Sequence, residues 1–134
     1  MRPTFMLDTN IVSDLVRHPL GRVAQRLAEA GISGACVSVI VAAELRFGAA
    51  KKGVAVLSEA IENVLDRIEI VAFDIPADRE YARIRSVLEN RGMTIGPNDL
   101  FIAAHALALD ATLVTNNTRE FSRVPGLKLE NWLV

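Results

Sequence analysis

The sequence predicts an α/β fold in which a mostly parallel sheet of four to five strands is covered by helices on both faces. Short apolar runs alternate with longer amphipathic segments along the chain. The short runs are almost continuously apolar, as strands are when both of their faces are buried. Because strands that alternate with helices usually pair in parallel through crossover connections, this order favours a sheet between two helical layers.

The predicted elements follow one another without a long linker, repeat or low-complexity segment. Strands are predicted at residues 4–7, 35–38, 69–73, 111–114 and 128–130, the last as a short edge strand. Helices are predicted at residues 11–18, 20–30, 39–52, 54–67, 76–91 and 97–109. With 134 residues, we expect one domain over residues 1–134.

Capping and helix-breaking residues set the predicted boundaries. The run Asp8-Thr9-Asn10 offers polar caps to the first helix, and Pro19 ends that helix and begins the next. Gly53 separates the third and fourth helices, and Gly92 ends the fifth.

Composition excludes several classes of protein. The net charge of −1 argues against bulk electrostatic binding of nucleic acid, so any RNA contact must come from a local patch. The single Cys36 lies in an apolar run and is expected to be buried. Since there is neither an export signal nor an apolar stretch of about 20 residues, we expect a cytoplasmic protein without a membrane partner.

Three of the 16 acidic residues stand at unusual places. Asp8 directly follows the first strand, where it can serve as a helix cap or as a ligand. Glu44 lies within an almost wholly apolar helical segment, so it must be exposed at the helix edge, paired with an arginine such as Arg46, protonated, or bound to a metal. Asp99 opens an otherwise apolar helix, where an acid also interacts favourably with the helix dipole.

These three acids are predicted to converge at one edge of the sheet. In parallel sheets, ligands bind beyond the carboxyl ends of the strands. Carboxylates brought together there repel one another unless a cation lies between them. An all-oxygen set suits Mg²⁺, with Mn²⁺ as the alternative, better than Zn²⁺. We therefore predict a divalent-metal site at Asp8, Glu44 and Asp99, whereas His105 is expected to be packed in the interior.

Four short segments in this order resemble the PIN-domain nucleases. They are Leu7-Asp8-Thr9-Asn10, Val41-Ala42-Ala43-Glu44-Leu45, Gly96-Pro97-Asn98-Asp99 and Thr115-Asn116-Asn117-Thr118-Arg119-Glu120-Phe121. The likeness covers essentially the whole chain and is greatest to the VapC toxins of bacterial toxin–antitoxin pairs.

The resemblance implies a PIN-like three-layer α/β/α fold and a homodimer that a VapB-type antitoxin inhibits. It further implies Mg²⁺-dependent cleavage of tRNA or another structured RNA, which inhibits translation and leaves a 5′-phosphate and a 3′-hydroxyl. The family often has a fourth acid at the position of Asn117; here an amide stands there, and Glu120, one helical turn later, is the candidate replacement. Metal ligands are thus expected among Asp8, Glu44, Asp99, Asn117 and Glu120.

Other residues are assigned supporting roles. We expect Asn10, Thr115 and Asn116 to hold ligands and water molecules by hydrogen bonds. Arginines and lysines near the acidic segments are candidates for phosphate contacts, namely Arg46, Lys51, Lys52, Arg91, Arg119 and Arg123. The apolar helices over residues 39–65 are expected to leave an exposed strip that serves a dimer or an antitoxin.

Two alternatives remain open from the sequence. A phosphohydrolase of the haloacid-dehalogenase type would use Asp8 as its nucleophile, but Asn10 stands where that class has a second acid. The other alternative is a non-catalytic PIN-like module that binds RNA or a protein partner. Metal binding would separate this module from the nuclease, because three unused acids would repel one another without benefit.

Overall fold

Five parallel strands form one sheet in the computed structural model, which describes residues 3–134. The strands are β1 (Phe5–Leu7), β2 (Ala35–Ser38), β3 (Glu69–Val71), β4 (Thr112–Val114) and β5 (Leu129–Glu130). Their order is β3-β2-β1-β4-β5, and every neighbouring pair is parallel. The expected α/β class and three-layer arrangement are confirmed, and the mostly parallel sheet proves to be parallel in every pair.

Helices connect the strands and flank the sheet. They are α1 (Thr9–Arg17), α2 (Arg22–Ala30), α3 (Val39–Lys52), α4 (Ala55–Leu65), α5 (Ala77–Asn90), α6 (Pro97–Ala108) and α7 (Thr118–Phe121). A single 3₁₀ turn, Ile32–Gly34, precedes β2. In the part of the chain that the structure describes, no helix is both long enough and apolar enough to span a membrane.

Local chemistry explains the helix that follows β2 without a loop. The hydroxyl of Ser38, the last residue of β2, accepts a hydrogen bond from the main-chain N–H of Ile40 and so caps α3. Gly53 ends α3 in the left-handed conformation at φ 67°, which a glycine adopts without strain. The predicted boundaries of β2 and α3 are confirmed because both ends carry these local signals.

Four predicted boundaries are wrong by two residues. Helix α1 begins at Thr9 rather than at residue 11, and α4 ends at Leu65 rather than at residue 67; the other two boundaries belong to β3 and α2. The third strand was expected over residues 69–73 but ends at Val71, because Phe73 turns to pack edge-on against Phe101 and His105. The second helix was expected from residue 20 but begins at Arg22, and Leu20 lies in an exposed turn. Tertiary packing at the end of β3 and the turn before α2 override the sequence pattern.

The core lies around the central strands β1, β2 and β4. Phe121 and Trp132 are fully buried, and so is Cys36, as expected. Burial, with a smaller contribution from the charge of Glu69, raises the pKa of the Cys36 thiol to about 12, so the thiol stays protonated and unreactive. The core therefore fixes the strands whose carboxyl ends carry the polar residues described next.

Candidate active site

Asp8 lies at the carboxyl edge of the sheet, between β1 and α1, and is almost fully buried. Its Oδ1 accepts a hydrogen bond of 2.8 Å from the main-chain N–H of Thr9, and this bond caps α1. Its Oδ2 accepts a second bond of 2.8 Å from the hydroxyl of Thr115, which directly follows β4. Burial raises the pKa of Asp8, the two hydrogen bonds oppose that rise, and the charge of Glu44 adds to it.

Glu44 reaches the same region from α3. Its Oε1 accepts a hydrogen bond of 2.7 Å from the hydroxyl of Thr9, and its Oε2 accepts one of 3.3 Å from the side-chain amide of Asn98. Glu44 is half-buried and does not pair with Arg46, which forms a bidentate salt bridge with Glu62 instead. Glu44 is thus held by neutral donors next to Asp8 and Asp99.

Asp99 lies in the first turn of α6 and faces other acids. Burial, followed by the charges of Asp8, Glu120 and Glu44, raises the pKa of Asp99 to about 6. The three acids that the sequence singled out are therefore brought within electrostatic reach of one another, and Glu120 of α7 joins them. Glu120, the expected replacement for an acid at position 117, reaches this place on α7, a short helix that was not predicted from the sequence.

Hydrogen bonds fix the orientation of Glu120. Its Oε1 accepts a bond of 3.2 Å from the main-chain N–H of Gly96, and its Oε2 accepts one of 2.9 Å from the side-chain amide of Asn117. The main-chain N–H of Asn117 in turn donates to the hydroxyl of Thr115 at 3.0 Å. Asn117 therefore orients the carboxylate of Glu120, and its side-chain nitrogen is occupied by that hydrogen bond.

The remaining expected supporting residues lie around this cluster. The amide of Asn10 donates to the side-chain oxygen of Asn116 at 3.1 Å, so these two residues tie the segments after β1 and β4 to each other. Sequence reasoning missed Thr9 and Asn98, which both donate to Glu44. The signal was their position next to Asp8 and Asp99, but adjacency alone does not reveal a bond to α3.

The candidate phosphate-contacting residues are mostly exposed. Lys51, Arg91 and Arg119 lie on the surface, whereas Arg46 is engaged by its salt bridge. Arg123 donates to the main-chain oxygen of Thr94 and so braces the segment before Asp99. A cleft borders Glu44 between α1, α3 and α4, and it has an apolar floor with two cations in its wall, Arg17 and Lys52.

The chemistry of the donor set fits a hard divalent cation. The cluster offers only oxygen ligands, from Asp8, Glu44, Asp99 and Glu120. Their mutual repulsion adds to burial, which is the larger cause, in raising the pKa of Asp99. Within residues 3–134, however, no three acidic, histidine or cysteine side chains stand in a ready ligand arrangement. The residues thus suit the ion by type and charge, and their side chains must shift to enclose it.

Comparison with known proteins assigns the family. The family described as PIN domain matches residues 5–127. The "Ribonuclease VapC2" of Rickettsia felis is 42% identical over 130 residues, which cover 96% of this chain and 97% of that protein. The "tRNA(fMet)-specific endonuclease VapC" of Shigella flexneri is 37% identical over 129 residues, with the same coverage.

A solved structure agrees with this assignment. The crystal structure of VapBC2 from Rickettsia felis bound to a DNA fragment from their promoter superposes with a TM-score of 0.89 at 39% identity, covering 96% of this chain and 98% of that chain. The haloacid-dehalogenase alternative is therefore set aside, because the match runs through all the acidic segments. The chain belongs to the PIN-domain family, among the VapC ribonucleases.

Proposed function

We propose that this protein is a Mg²⁺-dependent endoribonuclease, with Mn²⁺ as an alternative ion. The observation that carries the proposal is the crowding of four carboxylates at one edge of the sheet, where burial, followed by the charges of Asp8, Glu120 and Glu44, raises the pKa of Asp99 to about 6. A protein gains nothing from such repulsion unless a cation compensates it. The proposed ligands are Asp8, Glu44, Asp99 and Glu120, and Asn117 serves to orient Glu120 rather than to bind the ion.

A bound divalent ion would supply an activated water molecule and neutralise charge on the phosphate of the substrate. The residues of this chain provide the orientation. Asp8 is fixed by Thr9 and Thr115, so the side-chain shifts that enclose an ion would fall mainly to the other acids. Glu44 is half-buried and held by Thr9 and Asn98, so its carboxylate would bind the ion or orient the attacking water. Cleavage would leave a 5′-phosphate and a 3′-hydroxyl.

The proposed substrate is RNA, and specifically tRNA, because the Shigella flexneri relative is named a tRNA(fMet)-specific endonuclease. Since the chain has a net charge of −1, its contacts with RNA must come from a local basic patch. Lys51, Arg91 and Arg119 are exposed for contacts with phosphates. Lys52, a candidate from the sequence, lies at the cleft beside Glu44, and so does Arg17, which sequence reasoning missed.

The proposed cellular role is that of the toxin in a type II toxin–antitoxin pair, acting in the cytoplasm. Its partners would be a VapB-type antitoxin and a second copy of the chain. The Rickettsia felis and Salmonella typhimurium relatives were solved as VapBC with DNA, which supports a VapB partner. Four large apolar side chains on or next to α3 and α4 are exposed and available to a partner, namely Val39, Phe47, Val54 and Val56.

The direct test replaces the charge of Asp8 without disturbing its cap. Asn caps helices about as well as Asp, so Asp8→Asn leaves α1 capped but removes a proposed ligand. Asp14→Asn, the same change on the same helix, is the matched control. We expect Mg²⁺-dependent cleavage of RNA by the wild type and by Asp14→Asn, and a loss of at least about a hundredfold in Asp8→Asn.

Two results would contradict the proposal. One is cleavage that persists in excess EDTA, and the other is cleavage by Asp8→Asn at the wild-type rate. Sequencing of RNA ends from cells that express the wild type or Asp8→Asn identifies the substrate. Cuts that appear only with the wild type and fall in tRNA would support the proposed target, whereas cuts spread over all RNA would contradict it.

A further inference from the structure

A buried hydrogen bond links the two helices that carry Glu44 and Asp99. The Nδ1 atom of His105 lies 2.8 Å from the hydroxyl oxygen of Ser38. Ser38 is fully buried and His105 is 2% exposed, so no water competes for this bond. Neither residue touches the acidic cluster, and the function proposed above uses neither of them.

The position of the bond relates the two helices to each other. Ser38 caps α3 six residues before Glu44, and His105 lies on α6 six residues after Asp99. Six helical residues span about 9 Å, so each acid is roughly one and a half turns from the bond. Because α3 leaves β2 without a loop, its starting direction is set at Ser38.

The surroundings of His105 favour a neutral ring. Burial lowers the pKa of His105, against a smaller opposing contribution from the main chain of Ala72. The ring of Phe73 packs edge-on against the imidazole at 5.3 Å between centroids. Since the Ser38 hydroxyl already accepts a bond from Ile40, its own proton is available to donate to Nδ1.

We propose that His105 is a positioning residue of the nuclease site, acting through Ser38 to hold the helix of Glu44 against the helix of Asp99. The inference rests on the function proposed above. A second link between these helices, from Asn98 to Glu44, is exposed and longer, at 3.3 Å. The buried bond therefore carries the greater part of the constraint, because exposed hydrogen bonds compete with water.

The test uses substitutions that retain different nitrogen positions of the ring. In His105→Asn the side-chain amide stands near the place of Nδ1 and can still bond Ser38, whereas in His105→Gln it stands nearer the place of Nε2. His105→Leu and Ser38→Ala remove the bond from either end. His18→Asn is the matched control, since the His18 side chain is 63% exposed.

The measurements are kcat and KM for RNA cleavage, and Mn²⁺ binding to the protein without RNA by electron paramagnetic resonance. Circular dichroism and melting temperature identify the variants that fold. We expect His105→Leu to lower kcat about fivefold to tenfold with KM for RNA unchanged, the effect of one lost hydrogen bond. Mn²⁺ affinity should fall by a similar factor. His105→Asn should recover most of both losses, and His105→Gln should not.

The Ser38→Ala variant tests independently whether the effect depends on the bond between His105 and Ser38. If the bond is the route of the effect, adding His105→Leu to Ser38→Ala should lower kcat little further. Folded His105→Leu with wild-type kcat and Mn²⁺ affinity, or equal losses in His105→Asn and His105→Gln, would overturn the inference while leaving the proposed function intact. A wild type that fails to cleave RNA, while His18→Asn also fails, would overturn both.

Discussion

Replacing Asp99 with Asn is expected to stabilise the protein when no divalent ion is present. Burial, together with the charges of Asp8, Glu120 and Glu44, raises the pKa of Asp99 from 3.8 to about 6. A group with a raised pKa in the folded state contributes stability that is fully present below the unfolded pKa and is lost as the pH rises through the folded pKa. Between pH 3.8 and about 6, ionisation of Asp99 therefore progressively costs stability.

The magnitude follows from the size of the shift. A rise of roughly two pKa units corresponds to about 3 kcal/mol, which solvent screening at this partly exposed site reduces to about 1–2 kcal/mol. Asp99→Asn also gives up a favourable interaction with the N-terminus of α6, worth about 0.5 kcal/mol. The net gain is about 1 kcal/mol, or about 3 °C in melting temperature for a chain of this length.

The assay is thermal unfolding followed by circular dichroism in excess EDTA, from about pH 4 to about pH 8. Asp78→Asn is the matched control, because Asp78 is a first-turn acid of α5 with an exposed side chain. The gain in melting temperature of Asp99→Asn over the wild type should vanish near the low end of this pH range and be complete above about pH 6.5. The control should show no gain at any pH.

A second arm of the same assay adds Mg²⁺ near neutral pH. The ion should raise the melting temperature of the wild type, because it binds only the folded chain, and should do so less for Asp99→Asn. The reasoning about carboxylate crowding would be refuted by an Asp99→Asn protein that is no more stable than the wild type in EDTA above pH 6.5.

Three further predictions concern residues around the site and on the surface. Thr9→Val removes the hydroxyl that donates to Glu44 and should lower kcat for RNA cleavage about fivefold with little change in melting temperature; an unchanged kcat would contradict this. Phe47→Ser, at a residue that is 68% exposed, should shift a dimer toward monomer in light scattering and change the free energy of unfolding by less than about 0.5 kcal/mol. Equal dimer dissociation constants for the wild type and Phe47→Ser would contradict a dimer interface at this surface. In fluorescence anisotropy, Lys51→Ala should reduce the salt dependence of RNA binding by about one ion. Arg46→Ala should reduce it by less, because the Arg46 guanidinium is already bonded to a carboxylate of α4. A larger reduction for Arg46→Ala than for Lys51→Ala would show that this bond opens when RNA binds.

Most of the fold was predictable because local signals and burial agree. Residues 35–53 show this: a buried strand, a serine cap and a left-handed glycine follow in order, so β2 and α3 have the predicted bounds. The end of the third strand was mispredicted because Phe73 is apolar and aromatic, which is typical of a strand residue. Its actual partners, Phe101 and His105, are supplied by a helix that comes later in the chain.

The acids of the candidate site were easier to predict from the sequence than the groups that hydrogen-bond to them. Asp8, Glu44 and Asp99 each interrupt an apolar segment, and such an interruption can be recognised in the sequence alone. Thr9 and Asn98 are ordinary helix-start residues until α3 brings Glu44 between them. Hydroxyl and amide donors have many possible partners, so only the packed helices decide which carboxylate they serve.

The pair Asn117 and Glu120 shows how the fourth negative charge can move by one helical turn. Both oxygens of Glu120 are already bonded, one by Gly96 and the other by the amide of Asn117. An acid at position 117 would place a second carboxylate within hydrogen-bonding distance of Glu120 and would have no proton to donate at neutral pH. The two carboxylates would then repel each other and raise the pKa of one of them. An amide at 117 and an acid at 120 are therefore complementary, and the amide that departs from the family pattern holds Glu120 where its charge acts on Asp99.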